Sequence, residues 1–181
     1  MKKICVFLLA GLLLHASSFG QKGNNQIGVG ADIQVPTSDF ASYFKTGFGG
    51  YVKALFGVGK AGQVSLSTGY TSFNAVGGLP LKLGIAPVLI GYRANFNGFY
   101  VEPQIGYQLV NAKFNGGDEL GYMSDSGGGF IWAAGLGYVF NKKYEVGVRY
   151  GSGSAGQGGT TLGAFGLRLG YNFSLNGSKG K

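Results

Sequence analysis

Between residues 26 and 173 apolar and polar positions alternate with a period of two, the mark of strands whose faces meet different surroundings. From Gln26 to Val35, Ile27, Val29, Ala31, Ile33 and Val35 share one face, and Gly28, Gly30, Asp32 and Gln34 the other. Phe99–Val110 repeats the pattern, with Phe99, Val101, Pro103, Ile105, Tyr107 and Leu109 set against Tyr100, Glu102, Gln104, Gly106 and Gln108. Gln63–Ser72, Tyr144–Tyr150 and Thr161–Phe173 read the same way, and three less regular stretches, Thr46–Gly57, Pro80–Arg93 and Phe130–Phe140, bring the expectation to eight strands. Proline cannot donate to a ladder, so Pro80–Arg93 is expected to shift phase near Pro87, at a bulge.

Links alternate in length. Pro36–Lys45, Phe73–Leu79, Asn111–Gly129 and Gly151–Thr160 are long; Val58–Gly62, Ala94–Gly98 and Asn141–Lys143 are short. If both termini lie on one side, every long link falls on the other. Outer-membrane barrels are built this way, with short periplasmic turns and longer external loops.

Composition decides which face is oily. Charged residues are only 12% of the chain, and the polar faces carry Gly, Ser, Gln and Asn with a charge here and there. A soluble sandwich or lipocalin-like barrel would put many more Lys and Glu outside. A membrane barrel turns its apolar face to lipid and its polar face to the lumen. Aromatics follow the same logic: Phe56, Phe99, Phe140, Tyr144, Tyr171 and Phe173 gather toward one set of strand ends, and Phe48, Tyr70, Tyr107, Trp132, Tyr150 and Phe165 toward the other, as two interfacial girdles would. The expected fold is an all-β, eight-stranded, antiparallel, up-and-down transmembrane barrel. Of the 37 glycines, Gly28, Gly106, Gly135, Gly166 and Gly170 are expected on the lumen wall, making room for larger inward groups.

Ahead of the barrel, residues 1–20 read as an export signal. Lys2 and Lys3 precede the apolar run Ile4–Leu14, too short to span a bilayer, and Ser18 and Gly20 suit a cut before Gln21. The expected division is therefore residues 1–20 as signal, 21–175 as barrel and 176–181 as a short polar tail. Cleavage would remove Cys5 and His15, the only cysteine and histidine, and lower the net charge from +8 to +6. No disulfide framework and no histidine-based chemistry then remain.

The sharpest constellation is a set of inward charges: Asp32, Lys53, Lys82, Glu102, Glu145, Arg149 and Arg168. Folding the last two strands about their loop sets Glu145 opposite Arg168, and the set is expected to form an ion-pair network that plugs the lumen; the alternative is a gated path for ions or protons. Two G-x-G-x-x-G matches, Gly57–Gly62 and Gly151–Gly156, lead into strands rather than the helix a dinucleotide needs. Asp118, Glu119 and Asp125, with Tyr122 beside them, mark Asn111–Gly129 as the longest surface loop. A calcium site there fits no regular ligand spacing, so a solvated loop is expected. Positive residues are scattered, with Lys142–Lys143 the only adjacent pair after the signal, which argues against nucleic acid.

Several segments resemble the small Gram-negative outer-membrane β-barrel domain family. They are Pro36–Phe40 with Thr46–Gly50, then Leu79–Gly84, then Phe99–Gly106, and a C-terminal stretch, Arg168–Leu175, similar to the signal read by the barrel-insertion machinery through Arg168, Gly170, Phe173 and Leu175. The resemblance implies an OmpX- or OmpA-like barrel in the bacterial outer membrane, with lipids and the insertion machinery as partners. It implies neither catalytic residues nor metal nor cofactor. The familiar lipid A deacylase, phospholipase, protease and palmitoyl transferase types all need a histidine, so no enzyme is expected. The expected role is structural or interactive, with extracellular ligands met through the loops and the chain acting as a monomer. A narrow pore for ions or small solutes is the alternative, and a soluble lipid-binding barrel is a weaker third.

Overall fold

A computed structural model describes residues 24–58, 61–115, 122–155 and 161–175. The expected export signal and the polar tail lie outside these residues. Eight strands, β1 (Gln26–Thr37), β2 (Gly47–Val58), β3 (Gly62–Asn74), β4 (Leu81–Phe96), β5 (Phe99–Asn115), β6 (Tyr122–Phe140), β7 (Tyr144–Ser154) and β8 (Thr161–Ser174), pair in sequence order. All pairs are antiparallel, and β8 returns to β1 from Gln26–Ser174 to Thr37–Gly163, so the sheet closes. Closure leaves no unpaired edge between the interfaces, the condition for a backbone surrounded by hydrocarbon.

The alternation sorts side chains as a bilayer requires. Exposed large apolar residues cover the outside, among them Ile33, Val52, Ile90, Ile105, Leu136 and Leu169. Buried polar and charged groups fill the inside, among them Asp32, Lys53, Gln104, Glu145 and Arg168. Near the termini, Tyr144 packs edge-on against Tyr171 at 5.3 Å and Tyr171 against Phe173 at 4.7 Å. Toward the loop-bearing end, Tyr150 lies 5.6 Å from Trp132 and 4.8 Å from Phe165. These are the two girdles.

Strand β4 departs from expectation. Its pairing with β3 keeps one register from Gly62–Ala94 to Asn74–Lys82, and its pairing with β5 one register from Leu81–Phe114 to Phe96–Phe99. There is no bulge at Pro87. The chain absorbs the proline where the β3 partners Gly69 and Tyr70 go unpaired, at a local gap in the ladder. With phase kept, Val88, Ile90 and Tyr92 face lipid while Leu83, Ile85, Leu89 and Arg93 are buried inside.

The strands run beyond the sequence-based ends. Residues 111–115 and 122–129, expected as loop, continue β5 and β6 as a paired ribbon from Gln108–Gly129 to Asn115–Tyr122. β6 projects past its last pairing with β7, Ile131 with Gly153. At the opposite end Asn97 and Gly98 join β4 to β5 in a two-residue turn with φ of 52° and 96°. Asn-Gly suits such a turn, because both residues tolerate the left-handed region and its twist matches that of the strands.

Sidedness of this kind makes a direct prediction. Leu167→Arg, on the outer face between the girdles, is expected to cost about 2–4 kcal/mol of folding stability in lipid. Urea titration in vesicles would measure it, and a neutral effect would mean that the face does not meet hydrocarbon.

Candidate functional site

An eight-stranded barrel has an interior just wide enough for side chains to fill, and here they fill it in two layers. At the loop-bearing end a short helix, α1 (Asp39–Tyr43), dips into the mouth. Its Phe40 is buried against Phe73 at 5.1 Å, and Leu83, Ile85, Val110 and Leu162 complete an apolar cap. The cap explains why the inner face of β4 is apolar at this end: it serves a small core, not a wet channel.

Below the cap lies the charged layer, in two groups. Glu145 is the centre of the first. It pairs with Lys53 and with Arg93, whose Nη1 donates at 2.9 Å. Tyr100 Oη donates to it at 2.9 Å and Asn172 Nδ2 at 3.1 Å. Arg93 also bonds Glu102 through Nε at 2.8 Å, and Gln104 Nε2 donates to Glu102 at 2.8 Å. In the second group Asp32 accepts two 3.0 Å bonds from Gln34 Nε2 and lies 3.6 Å from Arg149 and 3.8 Å from Arg168. Two inward tyrosines hold the cations from the side: Arg93 stacks 3.8 Å from the Tyr100 ring and Arg168 3.6 Å from Tyr51. A side chain at Gly147 or Gly170 would collide with those phenol groups, and one at Gly28 with Lys53 and Asn172. The glycines there are small because the tyrosines and the lysine are large. Gly106 is different, since an added Cβ would meet the β4 backbone at Val88; at Gly135 and Gly166 an added Cβ would make only ordinary van der Waals contacts, the nearest at 3.6 Å.

The structure brings together Asp32, Lys53, Glu102, Glu145, Arg149 and Arg168 from the sequence-derived set, in two groups and not one. It corrects two placements. Lys82 lies on the outer face of β4, exposed and opposite Lys113, because the uninterrupted phase carries it outward. Glu145 pairs across the sheet with Gly170, and Arg168 with Gly147, so the two do not face each other. Arg168 instead lies beside Asp32 across the closing β1–β8 seam. Arg93, central to the first group, was missed; reading Val88, Ile90 and Tyr92 as one lipid-facing run would have found it. Tyr122 and Asp125 belong to β6, paired with Asn115 and Ala112, and not to a loop; Asp118 and Glu119 lie outside the described residues. At the C-terminal stretch, Arg168 and Gly170 point inward, while Phe173 and Leu175 are exposed.

With the barrel and its lumen in view, comparison with known proteins is decisive. Residues 6–173 match the outer membrane protein β-barrel domain. The chain belongs to that family. It is accordingly an outer-membrane β-barrel protein. No match was found among curated proteins. Among solved structures it is similar to Ail, the attachment invasion locus protein of Yersinia pestis, at 18% identity and TM-score 0.66, covering 84% of this chain and 100% of that one. It is also similar to the N-terminal β-barrel domain of Pseudomonas aeruginosa OprF (16%, 0.58, 84% and 100%) and to Neisserial surface protein A (16%, 0.57, 83% and 98%). These likenesses show the shared fold.

The network yields a double-mutant prediction. Glu145→Gln leaves two buried cations short of a partner and is expected to cost about 3–5 kcal/mol. Combined with Arg93→Met it should show coupling of about 0.5–3 kcal/mol, whereas Glu145→Gln with Arg168→Met should add within about 0.5 kcal/mol. Unfolding titrations of the four variants and the parent check both.

Proposed function

We propose that this protein is a closed, lumen-plugged barrel whose role is structural and interactive, exercised through the loop-bearing end and not through catalysis or transport. The observation that carries the reading is the filling of the lumen. Among the described residues, two cavities between the apolar cap and the charged layer measure about 30 and 10 Å³. That is room for a water or two, not for a hydrated ion in transit. What the fold leaves available is its surface, above all the β5–β6 ribbon projecting beyond its neighbours. Ail has been solved in complex with the heparin analogue sucrose octasulfate, at 19% identity to this chain. That precedent, together with the ribbon, supports an extracellular ligand here. On this reading residues 1–20 direct export and are removed, the termini lie in the periplasm, and the chain acts as a monomer. Arg168, Gly170, Phe173 and Leu175 then present the C-terminal signal to the insertion machinery.

Two measurements test it. An epitope inserted at Asp118 is expected to be stained on intact cells, and one after Leu175 only after permeabilisation; the reverse pattern overturns the topology. In planar bilayers the purified protein is expected to carry little or no steady current. Reproducible unitary conductance would put the narrow pore ahead.

A further inference from the structure

Among the described residues the barrel is open at the end where β1 begins and β8 ends. Below the Glu145 group the lumen widens into a cup of about 540 Å³, within the range of small-molecule sites. Arg93 and Asn172 form part of its floor, Gln63 and Asn95 part of its wall, and Lys142 and Lys143 part of its rim. No Asp or Glu stands among the described residues that line it; Arg93 is matched by Glu102 and Glu145 behind the floor, which leaves Lys142 and Lys143 as the positive charges the cup presents.

The cup is held in shape by its own bonds. Asn95 Nδ2 donates to Gln63 Oε1 at 2.9 Å, and Gln63 Nε2 to the Asn24 carbonyl at 2.8 Å. The rim turn is closed by Lys143 N to the Phe140 carbonyl at 2.9 Å and is tied to β8 by Asn172 N to the Lys143 carbonyl at 2.7 Å. Asn172 is buried beneath the cup, with its Nδ2 committed to Glu145 and its Oδ1 packed against Gly28. The lysines call for an anion.

We propose that this cup is a binding site for a small anionic saccharide, its phosphate or carboxylate meeting Lys142 and Lys143 and its hydroxyl groups meeting the amide side chains of the wall. A neutral sugar would leave the two lysines unused, and a bare anion would leave unused the donor and acceptor capacity that Gln63 and Asn95 keep beyond their bonds to each other and to Asn24. The site faces away from the surface assigned above to extracellular contacts. That its ligand comes from the periplasm rests on the proposed topology; that it binds does not, so binding is tested on purified protein in micelles.

The probes are glucose 6-phosphate, glucose and inorganic phosphate, each titrated at fixed ionic strength and followed by backbone amide NMR. Glucose 6-phosphate is expected to shift the amides of Asn95, Lys142 and Asn172 saturably, at least tenfold more tightly than either glucose or phosphate. Lys142→Asn with Lys143→Gln should weaken it at least tenfold. Asn tolerates the left-handed backbone at position 142, where φ is 59°, so the fold should survive, as the unchanged remainder of the spectrum would show. Absence of saturable shifts, phosphate binding as tightly as the sugar phosphate, or a double variant that binds like the parent would each overturn the proposal.

Discussion

A backbone in hydrocarbon finds no water to bond, and an unsatisfied peptide group there costs several kcal/mol. Everything else in this protein follows from meeting that demand with eight strands. Closure of β8 onto β1 pairs every strand with two neighbours. It also sets a small circumference, and a small circumference sets a lumen that must be packed. The outer face can be made of almost any apolar residue. The inner face cannot, because its side chains meet one another across the bore.

The packing used is polar at the centre and apolar at one end. Glu145 illustrates the constraint. A carboxylate 1% exposed is tolerable only with its charge matched and its oxygens occupied, and four side chains from β2, β4, β5 and β8 converge on it. Such a group gives specificity of register, since a one-residue slip of any contributing strand would turn its partner to the lipid. The cap around Phe40 closes the bore by ordinary apolar contact, fed by a helix that β1 and β2 hold over the mouth. Between the two lies almost no free volume, and the useful space is displaced to the ends: the ribbon of β5 and β6 outside, and the amide-lined cup at the other mouth.

Strand β4 shows where sequence reasoning stops. Its apolar residues occur on both faces, since Leu83 and Ile85 serve the cap while Val88 and Ile90 serve the lipid. Alternation vanishes when both sides of a strand are oily, and Pro87 then invites a phase shift that does not occur. That inference turned Lys82 inward and hid Arg93. The long link after β5 failed for a related reason: its Gly, Asn and Ser residues read as loop, yet the hairpin register continues through them.

What the sequence by itself determined is the all-β barrel, its eight strands and the inward or outward sense of nearly every residue on seven of them. Hydrophobic period is a local property, and a bilayer enforces it residue by residue. Only the tertiary structure decided which inward charges meet, because partnership depends on strand stagger and on side chains reaching across the bore from strands far apart in the chain. Lys53 finds Glu145, and Asp32 finds Arg168 across the β1–β8 seam, through closure alone; no local pattern in either strand announces its partner.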